Sequence, residues 1–182
     1  MTTVAVLVGS LRKESFSRKI ANAFVKLTPG LSFDFLDIGA VSYFNQDLEA
    51  NPPADWTTYR ERIARADAVL FVTAEYNRSV PGVLKNAVDV ASRPYGQGAL
   101  MGKPAAIIST SIGAIGGFGA NHHLRQSLAF LNMPVLAQPE AYIGNSASLF
   151  AETGELTNDS TKEYLVAFGK AFEHFIRHNA RK

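Results

Sequence analysis

Three stretches of this chain carry residue types that could hold a ligand, and each follows directly on an apolar run. The first is Gly9-Ser10-Leu11-Arg12-Lys13-Glu14-Ser15-Phe16-Ser17, behind Val4-Ala5-Val6-Leu7-Val8. A helical pattern begins at once after it. Unpaired amides at a helix start carry partial positive charge, so the hydroxyls and cations would be joined there by backbone donors for an anion. The stretch is not a Walker A loop, which needs Gly-Lys-Ser/Thr, nor a three-glycine dinucleotide turn, because Gly9 stands alone. Those motifs wrap a pyrophosphate in bare backbone. This one offers the hydroxyls of Ser10, Ser15 and Ser17, the Arg12 guanidinium and Lys13, a set suited to the three exposed oxygens of a terminal phosphomonoester. Taken alone, it equally fits a helix capped by Ser15 or Ser17 with Arg12 in solvent. The two other stretches favour the phosphate.

The second stretch, Glu75-Tyr76-Asn77, puts an aromatic ring and an amide directly above the apolar run Ala68–Thr73. A flat aromatic ligand could be stacked and held at its edge there. An ordinary turn at Pro81-Gly82, with Asn77 capping the next helix, fits the same residues. Glu75 could act as an acid or base, although a solvated carboxylate is the expectation. The third stretch, Ser109 to Gly117, is rich in small residues, which let a backbone approach a flat ligand closely and present amides to it. Glycines after a strand also make simple turns. Ser109-Thr110-Ser111-Ile112-Gly113 lacks the first glycine of a serine-hydrolase elbow. No metal site is expected: His174 and His178 lie four apart, but Phe175 stands where a zinc helix needs glutamate. His122 and His123 are expected to face solvent or a partner subunit.

The elements that would position these stretches follow from hydrophobic periodicity. Strands are predicted at about 3–8, 32–37, 68–73, 105–110 and 135–137. Phe33 and Phe35 alternate as in an outer strand, whereas 68–73 is nearly continuous and therefore central. Helical stripes run through Phe16, Ile20, Ala23, Phe24 and Leu27, and then through Trp56, Tyr59 and Ile63. Further stripes join Leu84, Ala87, Val88 and Ala91, then Ala120, Leu124, Leu128 and Leu131, and finally Leu165, Phe168, Phe172, Phe175 and Ile176. A long loop, 38–55, is expected to be functional or mobile, and 140–157 to be irregular. Strict alternation of five strands and five helices predicts an α/β fold: a doubly wound five-stranded parallel sheet of order 2-1-3-4-5 with helices on both faces. In that order strands one, three and four are adjacent, so all three ligand-bearing loops converge at the carboxyl end of the sheet.

Length and composition narrow the classes. The 182 residues suit a single domain spanning 1–182, and 47% hydrophobic with 19% charged residues is an ordinary globular balance. A net charge of +2, scattered along the chain, is not a nucleic-acid footprint. The absence of cysteine excludes disulfides, thiolate catalysis and Cys-ligated metals. The first apolar run has about five residues and no basic segment before it, unlike a signal peptide. No run approaches the roughly 18 apolar residues of a membrane helix, so no membrane partner and a cytoplasmic protein are expected.

Gly9-Ser10-Leu11-Arg12-Lys13-x-Ser15, Glu75-Tyr76-Asn77-x-Ser79-Val80-Pro81-Gly82-x-Leu84-Lys85-Asn86-Ala87-x-Asp89 and Ser111-x-Gly113-x-x-Gly116-Gly117 together resemble the NAD(P)H-dependent FMN reductases, in particular their chromate and quinone reductase subgroup. Phe44-Asn45-Gln46-Asp47-Leu48-Glu49 and His123-Leu124-Arg125-Gln126 fit the same pattern, and the likeness runs from Val4 to about Gly144. The resemblance implies a flavodoxin-like fold with non-covalent FMN, and NADPH or NADH as co-substrate. It implies phosphate contacts from Ser10, Arg12, Ser15, Phe16 and Ser17. Glu75, Tyr76, Asn77 and Arg78 would border the isoalloxazine, with Ser111 and Gly113 near its pyrimidine side. It also implies a homodimer or homotetramer with the flavin near the subunit interface. The chain departs from the pattern at Ala74, Arg78 and Ser42, where proline, an uncharged or weakly basic residue, and proline are usual. A cation at Arg78 could favour the reduced flavin anion or an anionic acceptor. No side chain is then needed as a catalyst, since flavin N5 carries the hydride to a small-molecule acceptor such as a quinone, flavin, azo dye or chromate, by a ping-pong mechanism. The rivals are a flavodoxin-type electron carrier, typically acidic where this chain is slightly basic, and a hydrolase, which the missing elbow opposes.

Overall fold

Alternate residues of a buried strand must satisfy two separate cores, and β1 (Thr3–Gly9) shows this directly. In the computed structural model, which describes residues 1–179, Val4, Val6 and Val8 face one apolar layer while Ala5 and Leu7 face the other. The last three residues of the expected 1–182 domain lie outside the described residues. The first layer is completed by α1 (Phe16–Leu27) and α5 (Asp159–Asn179), the second by α2 (Ala54–Arg65), α3 (Gly82–Ala91) and α4 (Phe118–Phe130). Between them β2 (Ser32–Leu36), β1, β3 (Ala68–Thr73), β4 (Ala105–Thr110) and β5 (Ala141–Ile143) form one parallel sheet in the order 2-1-3-4-5. This is the predicted flavodoxin-like arrangement. β3 and β4 are buried at every position, and the outer β2 is half-exposed at Phe33 and Phe35.

The fifth strand is not where periodicity placed it. Val135 makes only a single bridge to Ala105 at the start of β4, with the Leu136 amide donating to the Ala105 carbonyl at 2.8 Å. The chain then leaves the sheet and returns as Ala141–Ile143 beside Ile108–Thr110. Pro134 and Pro139 flank the first contact and have no N–H to extend a ladder, so pairing resumes only beyond them. The stretch expected to be irregular thus contains the true edge strand, and it delivers a fourth loop to the carboxyl end of the sheet.

The loop 38–55 is anchored rather than loose. It holds two single 3₁₀ turns, Ile38–Ala40 and Gln46–Leu48. Asn86 of α3 accepts from the Phe44 amide at 2.8 Å and donates to the carbonyls of Val41 and Ser42, both at 3.2 Å. Trp56 stacks on Phe44 and donates to the Ser42 carbonyl, and Arg93 pairs with Glu49. A buried amide with all three hydrogen bonds made fixes the loop in one course.

Candidate functional site

Strand β1 ends at Gly9 because nothing larger fits. A Cβ there would lie 2.8 Å from Thr73 Oγ1 and 2.9 Å from Leu84 Cδ2. The chain then turns outward through Ser10 to α1. Ser15 is the N-cap of that helix, its hydroxyl oxygen accepting from the Arg18 amide at 3.2 Å. Capping and ligand binding are compatible here, since the oxygen accepts while the O–H remains free to donate. The amides of Phe16 and Ser17, the first two of the helix, have no acceptor among the described residues. Ser17 is buried, and its hydroxyl makes no hydrogen bond among the described residues. Among the described residues the Arg12 guanidinium forms no ion pair; it lies 5.5 Å from the Phe16 ring centroid, while Glu14, which feels its charge, is paired with Lys19 at 2.9 Å.

The loop after β3 is a tight reversal. Tyr76 and Ser79 exchange backbone hydrogen bonds, each of 3.0 Å, around Asn77 (φ 50°) and Arg78 (φ 64°). Two successive left-handed residues make a type I′ turn, in which glycine or asparagine is favoured and arginine is not. Asn77 therefore forms the turn instead of capping α3, whose N-cap is Pro81. Nor is Glu75 a solvated carboxylate. Its side chain is 13% exposed, one oxygen accepts from the Ala120 amide at 3.0 Å and the other meets Arg78 at 3.5 Å. A carboxylate on the first turn of a helix is stabilised by the dipole. Glu75 thus ties the turn after β3 to the start of α4.

The loop after β4 interlocks with β5 and the segment that follows. Gly116 and Gly117 both take positive φ and lead into α4. The Ser111 amide donates to the Ile143 carbonyl, and the amides of Asn145 and Ser146 donate back to Gly113 and Ser111. Among the described residues the amides of Ile112 and Gly113 have no acceptor. At the outer rim, His122 Nε2 lies 2.8 Å from the Tyr142 hydroxyl, and His123 Nδ1 2.7 Å from Ser79 Oγ. Burial first, then the neighbouring Glu140, pushes the Tyr142 phenol up to about 12, so it stays protonated at neutral pH.

These loops enclose a cavity of about 190 Å³. Ser10, Arg12, Ser15, Phe16 and Ser17 stand in its wall, with Glu75, Tyr76 and Ser111. Asn77, Arg78 and Gly113 do not; they lie at the turn and the outer loop beyond it. Ala74, which the sequence marked only as a departure from the family pattern, Thr110 and Ile112 of the third stretch, and Ser146, which sequence reasoning missed, also line the cavity. Ser146 follows the turn dipeptide Gly144-Asn145, whose asparagine is left-handed at φ 51°. That dipeptide after a short apolar run was the available signal. The residues lining the cavity offer hydroxyls, the two helix-start amides, the Arg12 guanidinium, the unpaired Ile112 amide and an exposed tyrosine. Such a donor set suits a phosphorylated polyol attached to a flat ring. A larger cavity, about 430 Å³ between α3 and α4, is open and lies away from these donors.

The sequence model of the family described as NADPH-dependent FMN reductase matches residues 2–148. A quinone reductase of Pseudomonas putida is 56% identical over 179 residues, covering 97% of this chain and 96% of that protein. A 2-hydroxy-1,4-benzoquinone reductase of Burkholderia is 45% identical over 175 residues, 96% of either chain. Among solved structures, the flavoenzyme NAD(P)H:(acceptor) oxidoreductase FerB of Paracoccus denitrificans superimposes with a TM-score of 0.93 over all of both chains, at 43% identity. A flavodoxin from Pseudomonas aeruginosa shares the fold at a TM-score of 0.59 and 19% identity, covering 94% of this chain and 99% of that one.

Proposed function

Because the chain belongs to the NADPH-dependent FMN reductase family, we propose that the cavity above β1, β3 and β4 holds its FMN. In this reading Ser10, Arg12, Ser15, Phe16 and Ser17 take the phosphate end. Glu75, Tyr76, Asn77 and Arg78 border the isoalloxazine, and Ser111 and Gly113 its pyrimidine edge. The protein is a flavin-dependent oxidoreductase using NAD(P)H. The observation that carries the site assignment is the set of unsatisfied donors at the start of α1: two amides, the buried Ser17 hydroxyl and Arg12 without a carboxylate. An anion with several oxygens satisfies all of them together.

When bound, FMN supplies the redox chemistry, accepting two electrons from NAD(P)H and releasing them to an acceptor. The chain's own residues bind and orient. Arg12 and the helix start neutralise phosphate charge. Glu75 holds the turn carrying the exposed Tyr76 against α4 beside the site. Quinones are the acceptor class we assign, with free flavins, azo dyes and chromate as further acceptors. One site occupied in turn by nicotinamide and acceptor gives parallel double-reciprocal lines, and intersecting lines would overturn it. The apolar side chains of Ile112, Ile115 and Phe118, all exposed beside the cavity, support a homodimer or homotetramer with the site near the interface. We assign the protein as a cytoplasmic, one-domain enzyme; among the described residues no helix is long and apolar enough to cross a membrane. The visible spectrum tests the assignment: the purified protein shows flavin absorbance that anaerobic NADPH or NADH bleaches. A protein that binds no flavin would overturn the site; bound flavin left unbleached would make it an electron carrier.

Arg78 is 73% exposed and held in a backbone conformation that disfavours it. Such strain at a loop tip points to a role for the side chain. Replacing it with glycine should relieve about 1 kcal/mol of backbone strain and raise the melting temperature. FMN affinity should fall less than KM for nicotinamide or an anionic acceptor rises, the latter by about fivefold, the size of one exposed charge contact near 1 kcal/mol. Equal loss in flavin affinity and KM would place Arg78 on the cofactor instead.

A further inference from the structure

Buried polar side chains of this protein are nearly all accounted for. Ser109 and Thr110 donate to the carbonyls of Ala141 and Ile143, Thr28 to Phe24, and Asn86 and Asn121 are bonded at both ends of their amides. Ser146 differs. It is 0% exposed and its hydroxyl has no hydrogen-bond partner among the described residues. An unsatisfied hydroxyl in such a place costs roughly 1–3 kcal/mol. Among the described residues two other polar atoms are as fully buried and unpartnered, the Tyr59 hydroxyl and one Arg60 nitrogen, but both lie on α2, away from the cavity.

Ser146 stands in the wall of the cavity that also contains Arg12, Ser15 and Ser17. Its backbone is fixed. The amide donates to the Ser111 carbonyl at 3.1 Å, and the residue opens the 3₁₀ turn Ser146–Ser148, which Leu149 anchors in the core. The hydroxyl is therefore held in place without being used by the fold. Ser17, in the same wall, is buried, and its hydroxyl likewise makes no hydrogen bond among the described residues. Two hydroxyl donors in one wall with Arg12 and the start of α1 match the oxygens of a phosphate and the alcohols of the polyol attached to it. Resting on the assignment of this cavity to FMN, we propose that Ser146 is a cofactor-binding residue whose hydroxyl bonds the ribityl phosphate arm of the flavin. The loop after β5 then joins the loops after β1, β3 and β4 in holding it.

Ser146→Ala separates this role from a structural one, because the two predict opposite signs. Alanine keeps the backbone bond to Ser111 and removes only the unpaired hydroxyl. In the flavin-free full-length protein the melting temperature should stay the same or rise. The dissociation constant for FMN, read by flavin fluorescence quenching, should increase about tenfold, the loss of one hydrogen bond of about 1.4 kcal/mol. Binding of lumiflavin, a ring without the arm, should not change. Unchanged FMN affinity, an equal loss for lumiflavin, or a lower melting temperature of the flavin-free protein would each overturn the proposal. Arg12→Ala, measured in parallel, keeps the two levels apart. If only Ser146→Ala is silent, the role of Ser146 fails; if both are silent, the cavity is not the flavin site.

Discussion

Replacing Arg12 with alanine raises the dissociation constant for FMN about ten- to 150-fold and leaves the fold untouched. The range is that of one charge-assisted hydrogen bond, about 1.5–3 kcal/mol at 1.4 kcal/mol per tenfold. Its size follows from what Arg12 does not do in the protein. Among the described residues it forms no ion pair; it lies over the Phe16 ring, and the nearby Glu14 is paired with Lys19, so the guanidinium can meet an anion. Surface substitutions without structural partners change stability by no more than about 0.5 kcal/mol, and thermal unfolding of the flavin-free variant should confirm this. Arg12→Lys is the informative intermediate: it keeps the charge but not the planar fork, and recovers part of the affinity. Flavin titration that shows no change with alanine would remove the phosphate from the start of α1.

The order of the sheet and the meeting of three loops were legible because both follow from apolar runs and their alternation with helical stripes. β5 was not, because Val135-Leu136-Ala137 is as apolar as Ala141-Tyr142-Ile143; the choice between them is made by backbone donors that Pro134 and Pro139 lack. The turn after β3 was hidden for a similar reason. Without a glycine at Arg78 the sequence carries no hairpin signal, yet the backbone adopts one. Residue types announced the hydroxyl and arginine cluster before α1. They could not announce that Glu75 would find the Ala120 amide 45 positions away, or that Ser146 would be buried without a partner. Those properties belong to packing between distant segments, which no local pattern records.

Two glycines three positions apart in the loop after β4 should behave as opposites when changed to alanine. A Cβ on Gly116 would lie 2.5 Å from the Tyr142 carbonyl carbon and 2.8 Å from the Ile143 nitrogen, backbone atoms of β5 that cannot move aside without breaking the sheet edge. The residue also sits at φ +64°. Left-handed backbone costs an L-residue about 1–2 kcal/mol and overpacking about 1–3 kcal/mol more. Gly116→Ala should therefore lose about 3 kcal/mol, roughly 6–12 °C in melting temperature for a chain of this size, and flavin affinity falls with the displaced loop. Gly113 has neither constraint: its φ is not positive, and a Cβ would have only Ser111 Oγ nearby, at 3.8 Å. Its alanine variant should melt like the parent. If the pyrimidine edge of the flavin lies against Gly113, the added methyl meets the ring and affinity drops while stability does not. A Gly116→Ala variant that melts normally would mean that the loop and β5 do not interlock. Unaltered flavin binding by Gly113→Ala would mean that the ring edge lies elsewhere, so the two substitutions test the scaffold and the site separately.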